Sequence, residues 1–410
     1  MIKSIKIDNF KSLVGFECEL SKFSCLIGLN GAGKSTILQA LDFLSQLMAG
    51  DMENWLELRH WDKSDLNSRL TRTSNITFEV VIDSLWGDIT WRGSFNRSSL
   101  KCTQELVKLE LVGETTESAY HSRDLRLFKV DDGQCSIGHV SKNHDFSELD
   151  SKGFQKALKP DSFPVVFKYS GSVLSGIIDK QLSPPLSALK KQLLQLKSLD
   201  LLAPDALRQR SQSSDKDLGL GGEKLSAFLS ELNRQQQLEL MDKLRVIYPS
   251  FKDFRIFHSK PGWKQLLISE VFNDHQIITE ARHVNDGMLR LIAILAQTQT
   301  DHSFLLFDEI ENGINPELVE QLVHWLQDAT QQILVTTHSP MILNYLEDQA
   351  ATEGVLLVYK TPEGYTRTKH FFEIPAMAEK LSVLGPGEVF IDTDLVALVK
   401  EINNSNVRIQ

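Results

Sequence analysis

The stretch Gly28-Leu-Asn-Gly-Ala-Gly-Lys-Ser-Thr36 matches the pattern G-x-x-x-x-G-K-[ST], which is typical of a phosphate-binding loop. An apolar run from Phe23 to Ile27 precedes it, and apolar residues at helical spacing follow it from Ile37 to Leu47. Glycines allow backbone N–H groups to converge on phosphate oxygens, and the start of the following helix adds a favourable dipole. The sequence therefore predicts a strand, a loop that binds ATP or GTP, and a helix.

The residues of this loop have separate expected tasks. Lys34 is expected to reach the β- and γ-phosphates, and the hydroxyl of Ser35 is expected to hold Mg²⁺. The predicted nucleotide contacts within the loop are Asn30, Gly31, Ala32, Gly33, Lys34, Ser35 and Thr36.

Composition places the chain among ordinary globular proteins. It has 410 residues, 41% of them hydrophobic and 24% charged, which allows two or three domains. We expect a cytoplasmic protein without membrane contact, because no apolar run of about 18 residues occurs and the N-terminus lacks the core of a signal peptide. The four cysteines form no C-x-x-C pair, so neither a zinc site nor a disulfide framework is expected. A net charge of −10 disfavours DNA binding by the chain alone.

The pattern along the chain predicts an α/β nucleotide fold that is split by a long insertion. Alternating apolar residues between Thr73 and Asp132 predict an antiparallel β meander. Leucines at helical spacing from Leu186 to Leu199, followed by two further helical segments, predict an inserted helical lobe. Apolar strands then alternate with helices again, which indicates a buried parallel sheet. We divide the chain into an N-terminal lobe (1–182), a helical insertion (183–250) and a C-terminal lobe (251–410).

A second motif, which is acidic, follows a short apolar strand. The run Phe304 to Phe307 ends in Asp308 and Glu309, as in a Walker B element. Asp308 is expected to act in the magnesium shell, and Glu309 to orient or deprotonate the attacking water. Such a strand end is a weak signal alone, but it becomes strong beside the phosphate loop.

His338 follows the predicted strand Ile333–Thr336, at the edge where open α/β sheets place their ligands. We expect it to contact the γ-phosphate and report hydrolysis. The alternative is that it caps the helix that begins at Pro340.

Together these motifs resemble the ABC-type ATPases, and more narrowly the RecF/SMC/OLD-like group of AAA family ATPases. The similar stretches are IKIDNFKSL, ARHVNDGMLRLIAIL, FLLFDEIENGINP and LVTTHSP. The resemblance implies an ATPase head that uses ATP and Mg²⁺, with each ATP enclosed between one loop and the signature motif of a second head. Asn285, Asp286 and Gly287 fall at the signature, where Asn285 replaces the usual serine. Lys11 resembles a position near the phosphates, although a surface lysine fits equally.

The same resemblance leaves the task of the ATPase open. OLD-type proteins add a Toprim nuclease after the ATPase, but only 72 residues follow His338, so we expect no such domain here. Asp392 and Asp394 are expected to cap a terminal helix. Similarity to stand-alone ATPases of the Septu and PARIS defence systems implies an anti-phage sensor or scaffold that forms homodimers or higher oligomers and controls a separate effector, such as a nuclease. The alternatives are a DNA-repair or chromosome-maintenance ATPase on duplex DNA, an ABC transporter subunit, which the sequence disfavours, and a non-hydrolysing ATP clamp.

Overall fold

A computed structural model describes residues 1–111, 123–140, 158–199, 202–214, 217–259 and 261–407. The strands in these ranges are β1 (Ile2–Asp8), β2 (Phe16–Glu19), β3 (Phe23–Ile27), β4 (Asn75–Ser84), β5 (Gly87–Asn96), β6 (Lys101–Leu111), β7 (Arg123–Asp131), β8 (Gln134–Val140), β9 (Leu158–Pro164), β10 (Leu196–Leu199), β11 (Phe251–Ser259), β12 (Trp263–Phe272), β13 (His275–Glu280), β14 (Phe304–Phe307), β15 (Gln332–Thr336), β16 (Val355–Lys360) and β17 (Thr366–His370).

The α-helices in the same ranges are α1 (Lys34–Ala49), α2 (Met52–Leu58), α3 (Pro184–Leu194), α4 (Pro204–Leu207), α5 (Leu225–Glu231), α6 (Arg234–Ile247), α7 (Asp286–Gln297), α8 (Pro316–Gln327), α9 (Pro340–Asn344), α10 (Asp348–Gly354), α11 (Pro375–Leu381), α12 (Pro386–Ile391) and α13 (Leu395–Val407).

The central sheet joins the two ends of the sequence. Its order is β10-β14-β15-β3-β16-β17, and every neighbouring pair is parallel except β16 with β17. Strand β3, from the start of the chain, therefore lies between β15 and β16, from its far end. The predicted α/β class, with a split nucleotide fold, is confirmed.

The leucine pattern between Leu186 and Leu199 was misassigned in its last part. Helix α3 ends at Leu194, and residues 196–199 form β10, which pairs with β14 in the central sheet. A short strand that is buried on both faces is as rich in leucine as a buried helix, so periodicity alone cannot separate the two. The chain thus returns to the central sheet inside the predicted insertion, whose bounds stay a prediction.

An antiparallel sheet with the order β2-β1-β4-β5-β6-β7-β8-β9 packs over α1. The predicted β meander is confirmed for its described part, while 112–122 lie outside the described residues. A third sheet, with the order β11-β12-β13, contacts α5 and α6.

The central sheet carries hydrophobic clusters on both faces. Leu26, Leu306 and Leu334 face α1 and the antiparallel sheet, whereas residues next to them in sequence, such as Cys25 and Phe307, face α7 and α8. Parallel strands that are covered on both sides read as continuous apolar runs, as these do. In the described part of the chain, no helix is long and apolar enough to cross a membrane.

Candidate nucleotide-binding site

The loop between β3 and α1 has a backbone that only glycine can follow at two points. Gly28 has φ 142°, and a Cβ there would lie 2.2 Å from the carbonyl oxygen of Val358. Gly33 has φ 113°, and a Cβ there would lie 2.3 Å from the Oγ1 of Thr366. The Thr366 hydroxyl also donates to the carbonyl oxygen of Ala32 at 3.0 Å. Strands β16 and β17 thus hold the loop in its phosphate-binding shape.

Helix α1 begins at Lys34 directly after this loop, and no side chain caps its first N–H groups. Free N–H groups at a helix start attract phosphate oxygens. The ammonium of Lys34 donates to the carbonyl oxygens of Gly28 (2.9 Å) and Leu29 (3.3 Å). Burial lowers the pKa of Lys34, while the carboxylates of Asp308 and Glu309 act in the opposite direction. A phosphate anion at this point would compensate the buried charge.

The loop and the acidic strand end meet through direct hydrogen bonds. The Ser35 hydroxyl donates to Oδ2 of Asp308 at 2.7 Å. The Thr336 hydroxyl, at the end of β15, donates to Oδ1 of the same carboxylate and accepts the backbone N–H of Glu309 at 2.8 Å. The two motifs that the sequence assigned to magnesium therefore lie together, although they are 273 residues apart.

Glu309 and His338 lie at the same sheet edge, and both side chains are exposed. Glu309 has φ 46°, a left-handed conformation that turns the chain just beyond β14. The backbone N–H of His338 donates to Oε1 of Glu311 at 2.8 Å. Helix α9 begins after Ser339 without a side-chain cap, so His338 does not cap it. Both predicted catalytic residues are therefore accessible to a ligand.

The predicted signature residues form the start of α7. Asn285 is its N-cap, and its side chain accepts the N–H of Met288 at 2.8 Å. Asp286 forms an ion pair with Arg208. A Cβ on Gly287 would lie 2.5 Å from the carbonyl oxygen of Gly313, so glycine allows α7 to approach the loop before α8. Asparagine thus supplies the capping oxygen that a serine would supply.

Arg290 connects the signature helix to the acidic strand end. Its guanidinium donates to the carbonyl oxygens of Asp308 (2.9 Å) and Glu309 (3.0 Å). Burial lowers the pKa of Arg290, and the carboxylates of Glu309 and Glu311 oppose that shift.

The ammonium of Lys11 has contacts outside the phosphate loop, with helix α1 and with Trp61. Nζ donates to Oε1 of Gln39 at 2.8 Å and lies 3.3 Å from the ring centroid of Trp61. The neighbouring Ser12 hydroxyl is hydrogen-bonded to Thr366 Oγ1 at 2.8 Å. A phosphate contact by Lys11 would require its side chain to leave the Trp61 ring.

These residues fit a magnesium–nucleotide complex. A hydroxyl and a carboxylate oxygen are the ligands that Mg²⁺ prefers, with phosphate oxygens and waters completing its shell. Among the described residues, no group of three or more His, Cys, Asp or Glu side chains could hold a metal. Ser35 and Asp308 would supply two of the oxygen ligands, and phosphate oxygens of the nucleotide would supply others.

Sequence reasoning missed Thr336, Thr366, Arg290 and Glu311. Arg290, Glu311 and Thr336 lie within three residues of predicted site residues, so proximity in sequence could have indicated them. Thr366 acts through a contact between distant elements, for which the sequence carries no local signal. Asp394 caps α13 as predicted, because its carboxylate accepts the N–H groups of Val396 (2.9 Å) and Ala397 (3.0 Å). The same prediction for Asp392 was wrong, because Asp392 is the C-cap of α12 and pairs with Lys380.

Two regional matches connect the chain with known proteins. It is 33% identical to an OLD nuclease from Thermus scotoductus over 105 residues, which are 25% of this chain and 18% of that protein. It is 48% identical to the DNA replication and repair protein RecF from Porphyromonas gingivalis over 46 residues, 11% of this chain and 13% of that protein. The chain therefore matches less than a fifth of the length of either relative.

Among solved structures, the SMC head domain from Thermotoga maritima has a TM-score of 0.45 at 10% identity, with 90% of this chain and 98% of that chain covered. An SMC head bound to the C-winged helix domain of ScpA has a TM-score of 0.48 at 13% identity, with 90% and 97% covered.

A family model described as "AAA domain, putative AbiEii toxin, Type IV TA system" matches residues 23–344, well over half of the chain. The matched range runs from β3 to the end of α9 and includes the phosphate loop, the signature turn, Asp308 and His338. The chain belongs to this family of AAA domains.

Proposed function

We propose that the chain binds ATP with Mg²⁺ and hydrolyses it between two heads, and that this cycle controls a separate effector in bacterial anti-phage defence. The observation that supports the ATPase most strongly is the bond between Ser35 and Asp308, which joins the phosphate loop to the acidic strand end. A surface strand that ended in acids by chance would have no reason to meet this loop.

The side chains at this edge suit phosphoryl transfer to water. Lys34 and the free N–H groups of α1 bind phosphate oxygens, and bound Mg²⁺ would neutralise charge that develops on them. In this proposal Glu309 orients or deprotonates water, and the exposure of its carboxylate just beyond β14 supports that role. His338 contacts the γ-phosphate in this proposal.

The signature turn supports a site that two copies complete. The start of α7 is exposed at Asn285 and Asp286, so its N–H groups and dipole are accessible to a phosphate on another molecule. Gly287 packs on the backbone of Gly313 within its own chain, and the neighbouring Asn285 and Asp286 are exposed. We therefore expect a homodimer in which each ATP contacts Lys34 of one copy and Gly287 of the other.

The ATPase is tested by comparing Glu309→Gln with Lys34→Ala. Glu309→Gln is expected to bind ATP, to lose hydrolysis by at least about 100-fold and to accumulate as a dimer. Lys34→Ala is expected to stay monomeric, because it lacks the phosphate-binding ammonium. Phosphate release and analytical ultracentrifugation provide the two readouts. Unchanged hydrolysis in Glu309→Gln would instead indicate a structural ATP clamp.

Control of an effector is the second part of the proposal. The family description names a toxin, and one regional relative is called an OLD nuclease, which supports a nuclease as the effector class. A pull-down from the native host with both variants should recover a partner that depends on the nucleotide state. Equal recovery of the same partner with Lys34→Ala and Glu309→Gln would contradict ATP control.

The alternative function is DNA repair or chromosome maintenance, which the RecF match favours. It predicts that the purified chain binds duplex DNA and that affinity falls steeply with salt, because phosphate contacts release counterions. The net charge of −10 argues against strong binding without a partner.

A further inference from the structure

The hairpin formed by β12 and β13 presents apolar side chains to solvent at its tip. Residues 271–278 are all exposed, and Val271, Phe272, Ile277 and Ile278 are between 38% and 56% exposed. The tip turns at Asn273, which has φ 51°. Natural proteins rarely leave such a cluster without a partner.

Both faces of the tip share this character. Phe272 and Ile277 lie diagonally opposite each other on one face, because Phe272 pairs with His275 and Ile277 with Glu270. Val271 and Ile278 are arranged in the same way on the other face. In the described part of the chain, β13 pairs only with β12, so its outer edge is open as well. An exposed edge with apolar side chains is a template for contact with another chain.

The hairpin leads directly into the signature turn. Strand β13 ends at Glu280, a single 3₁₀ turn spans Ala281–His283, and Asn285 then caps α7. If the signature turn closes over the phosphate loop of a second head, the hairpin enters the same contact. The hairpin would then contact the surface residues next to the phosphate loop of the second head.

The surroundings of the phosphate loop complement the tip in apolarity and charge. Leu29, in the loop, is 42% exposed, and Leu70 is 46% exposed. Leu70 lies against the β16–β17 turn, since a Cβ on Gly364 would be 3.5 Å from it, and Thr366 follows that turn to brace the loop. Arg72, two residues after Leu70, is exposed, whereas the hairpin tip carries the exposed carboxylate of Asp274. Arg69 is exposed as well but pairs with Asp65 of its own chain.

From these exposed apolar side chains and charges we infer that the tip of the β12–β13 hairpin docks beside the phosphate loop of a second copy of this chain, on the surface around Leu70. This inference rests on the proposed composite ATP site. A two-fold axis would repeat the contact, so each hairpin would touch Leu70 of the other copy. The docked hairpins add apolar area and charge pairing to an interface that ATP alone would otherwise hold.

The test measures the dimer dissociation constant in the Glu309→Gln background with ATP and Mg²⁺, by analytical ultracentrifugation. The double variant Phe272→Thr/Ile277→Thr keeps residues that favour β-strands on the hairpin but removes apolar area. We expect its dissociation constant to rise by at least about tenfold. Leu70→Thr, on the opposite side of the contact, should have a similar effect.

Leu85→Thr is the matched control, because Leu85 is 96% exposed in the β4–β5 turn, which belongs neither to the signature motif nor to the phosphate loop. It should leave dimerisation unchanged, and binding of a fluorescent ATP analogue to dilute monomers should be unchanged in every variant. If the Glu309→Gln protein dimerises and the hairpin variants dimerise equally well, the inference is wrong while the composite site stands. If the Glu309→Gln protein never dimerises with ATP, the composite site and the hairpin contact are both overturned. Loss of effector capture with normal dimerisation would assign the hairpin to a different partner and overturn the inference too.

Discussion

Glu311 connects the acidic end of β14, at Asp308 and Glu309, with the histidine loop, the segment between β15 and α9 that carries His338. One carboxylate oxygen, Oε1, accepts the backbone N–H of His338, whereas Oε2 is buried and has no hydrogen-bond partner among the described residues. The same carboxylate opposes the burial-driven fall in the pKa of Lys34 and of Arg290. Glu311 thus holds the histidine loop in place and contributes negative charge to the site without being a proposed ligand itself.

Replacing Glu311 tests this positioning role. Glu311→Ala removes the acceptor for the His338 amide, and a charge-assisted hydrogen bond of about 1.5–3 kcal/mol corresponds to a fall in kcat of about 10- to 100-fold. Glu311→Gln keeps one acceptor oxygen and should recover most of the rate, with KM for ATP unchanged in both variants. Steady-state ATPase measurements check this. Equal kcat values for the two variants would show that the hydrogen bond to the His338 amide does not determine the rate of hydrolysis.

Strand β6 is held to the segment after β9 by a buried carboxylate. Glu105 accepts hydrogen bonds from Trp91 Nε1 (3.1 Å), the Ser172 hydroxyl (2.5 Å) and the Val173 N–H (2.6 Å). The backbone N–H of Ser172 donates in turn to the carbonyl oxygen of Leu47, near the end of α1. The carboxylate therefore links the antiparallel sheet to the helix that follows the phosphate loop.

Burial raises the pKa of Glu105 to about 7 from an ordinary value of 4.5, because its three hydrogen bonds only partly offset desolvation. The folded protein therefore favours the protonated group. The contribution of Glu105 to the free energy of unfolding is therefore fully present below pH 4.5 and is lost as pH rises through 7. The loss amounts to about 3 kcal/mol. Thermal unfolding of the native chain and of Glu105→Gln across this range should give different pH slopes. Parallel curves would contradict the assignment.

How well the sequence predicted an element depended on whether its signal was local. Helix α8 spans Pro316–Gln327, and a local pattern specifies it, because its Asn315 cap and its apolar stripe are contiguous in sequence. Strand β13 was missed, since its exposed Ile277 and Ile278 are adjacent and break the alternation of a half-buried strand. The site followed the same rule. Lys34 and Asp308 lie in short motifs, whereas Thr366 acts only through a contact that folding creates.

At the scale of the whole molecule, Gln332 joins the first strand to the central sheet. Its buried side chain donates to the carbonyl oxygens of Ile2 (2.8 Å) and Ser21 (3.0 Å) and accepts the N–H of Ile2 at 2.9 Å. The bonds to Ile2 span 330 residues of sequence, and the bond to Ser21 spans 311. They satisfy backbone groups at the boundary between the antiparallel and central sheets.

Gln332→Met should lower the free energy of unfolding by about 2–4 kcal/mol, because it leaves the backbone groups of Ile2 buried without partners. Gln349→Met is the matched control, since Gln349 is exposed and bonds only Glu353 within its own helix. The control should change stability by less than about 0.5 kcal/mol. Denaturant titrations check both values, and equal losses would contradict a specific role for Gln332.

The position of β3 between β15 and β16 also determines when this part of the chain can fold during translation. A ribosome completes the phosphate loop early, but the neighbours of β3 begin at Gln332 and Val355. At about 5–20 residues per second, roughly 15–60 s separate these events. Throughout that interval the nascent chain carries an apolar strand with no partner on either side and a loop that nothing braces. We expect chaperones to bind β3 in this window, and nucleotide to bind only after translation has passed Thr366.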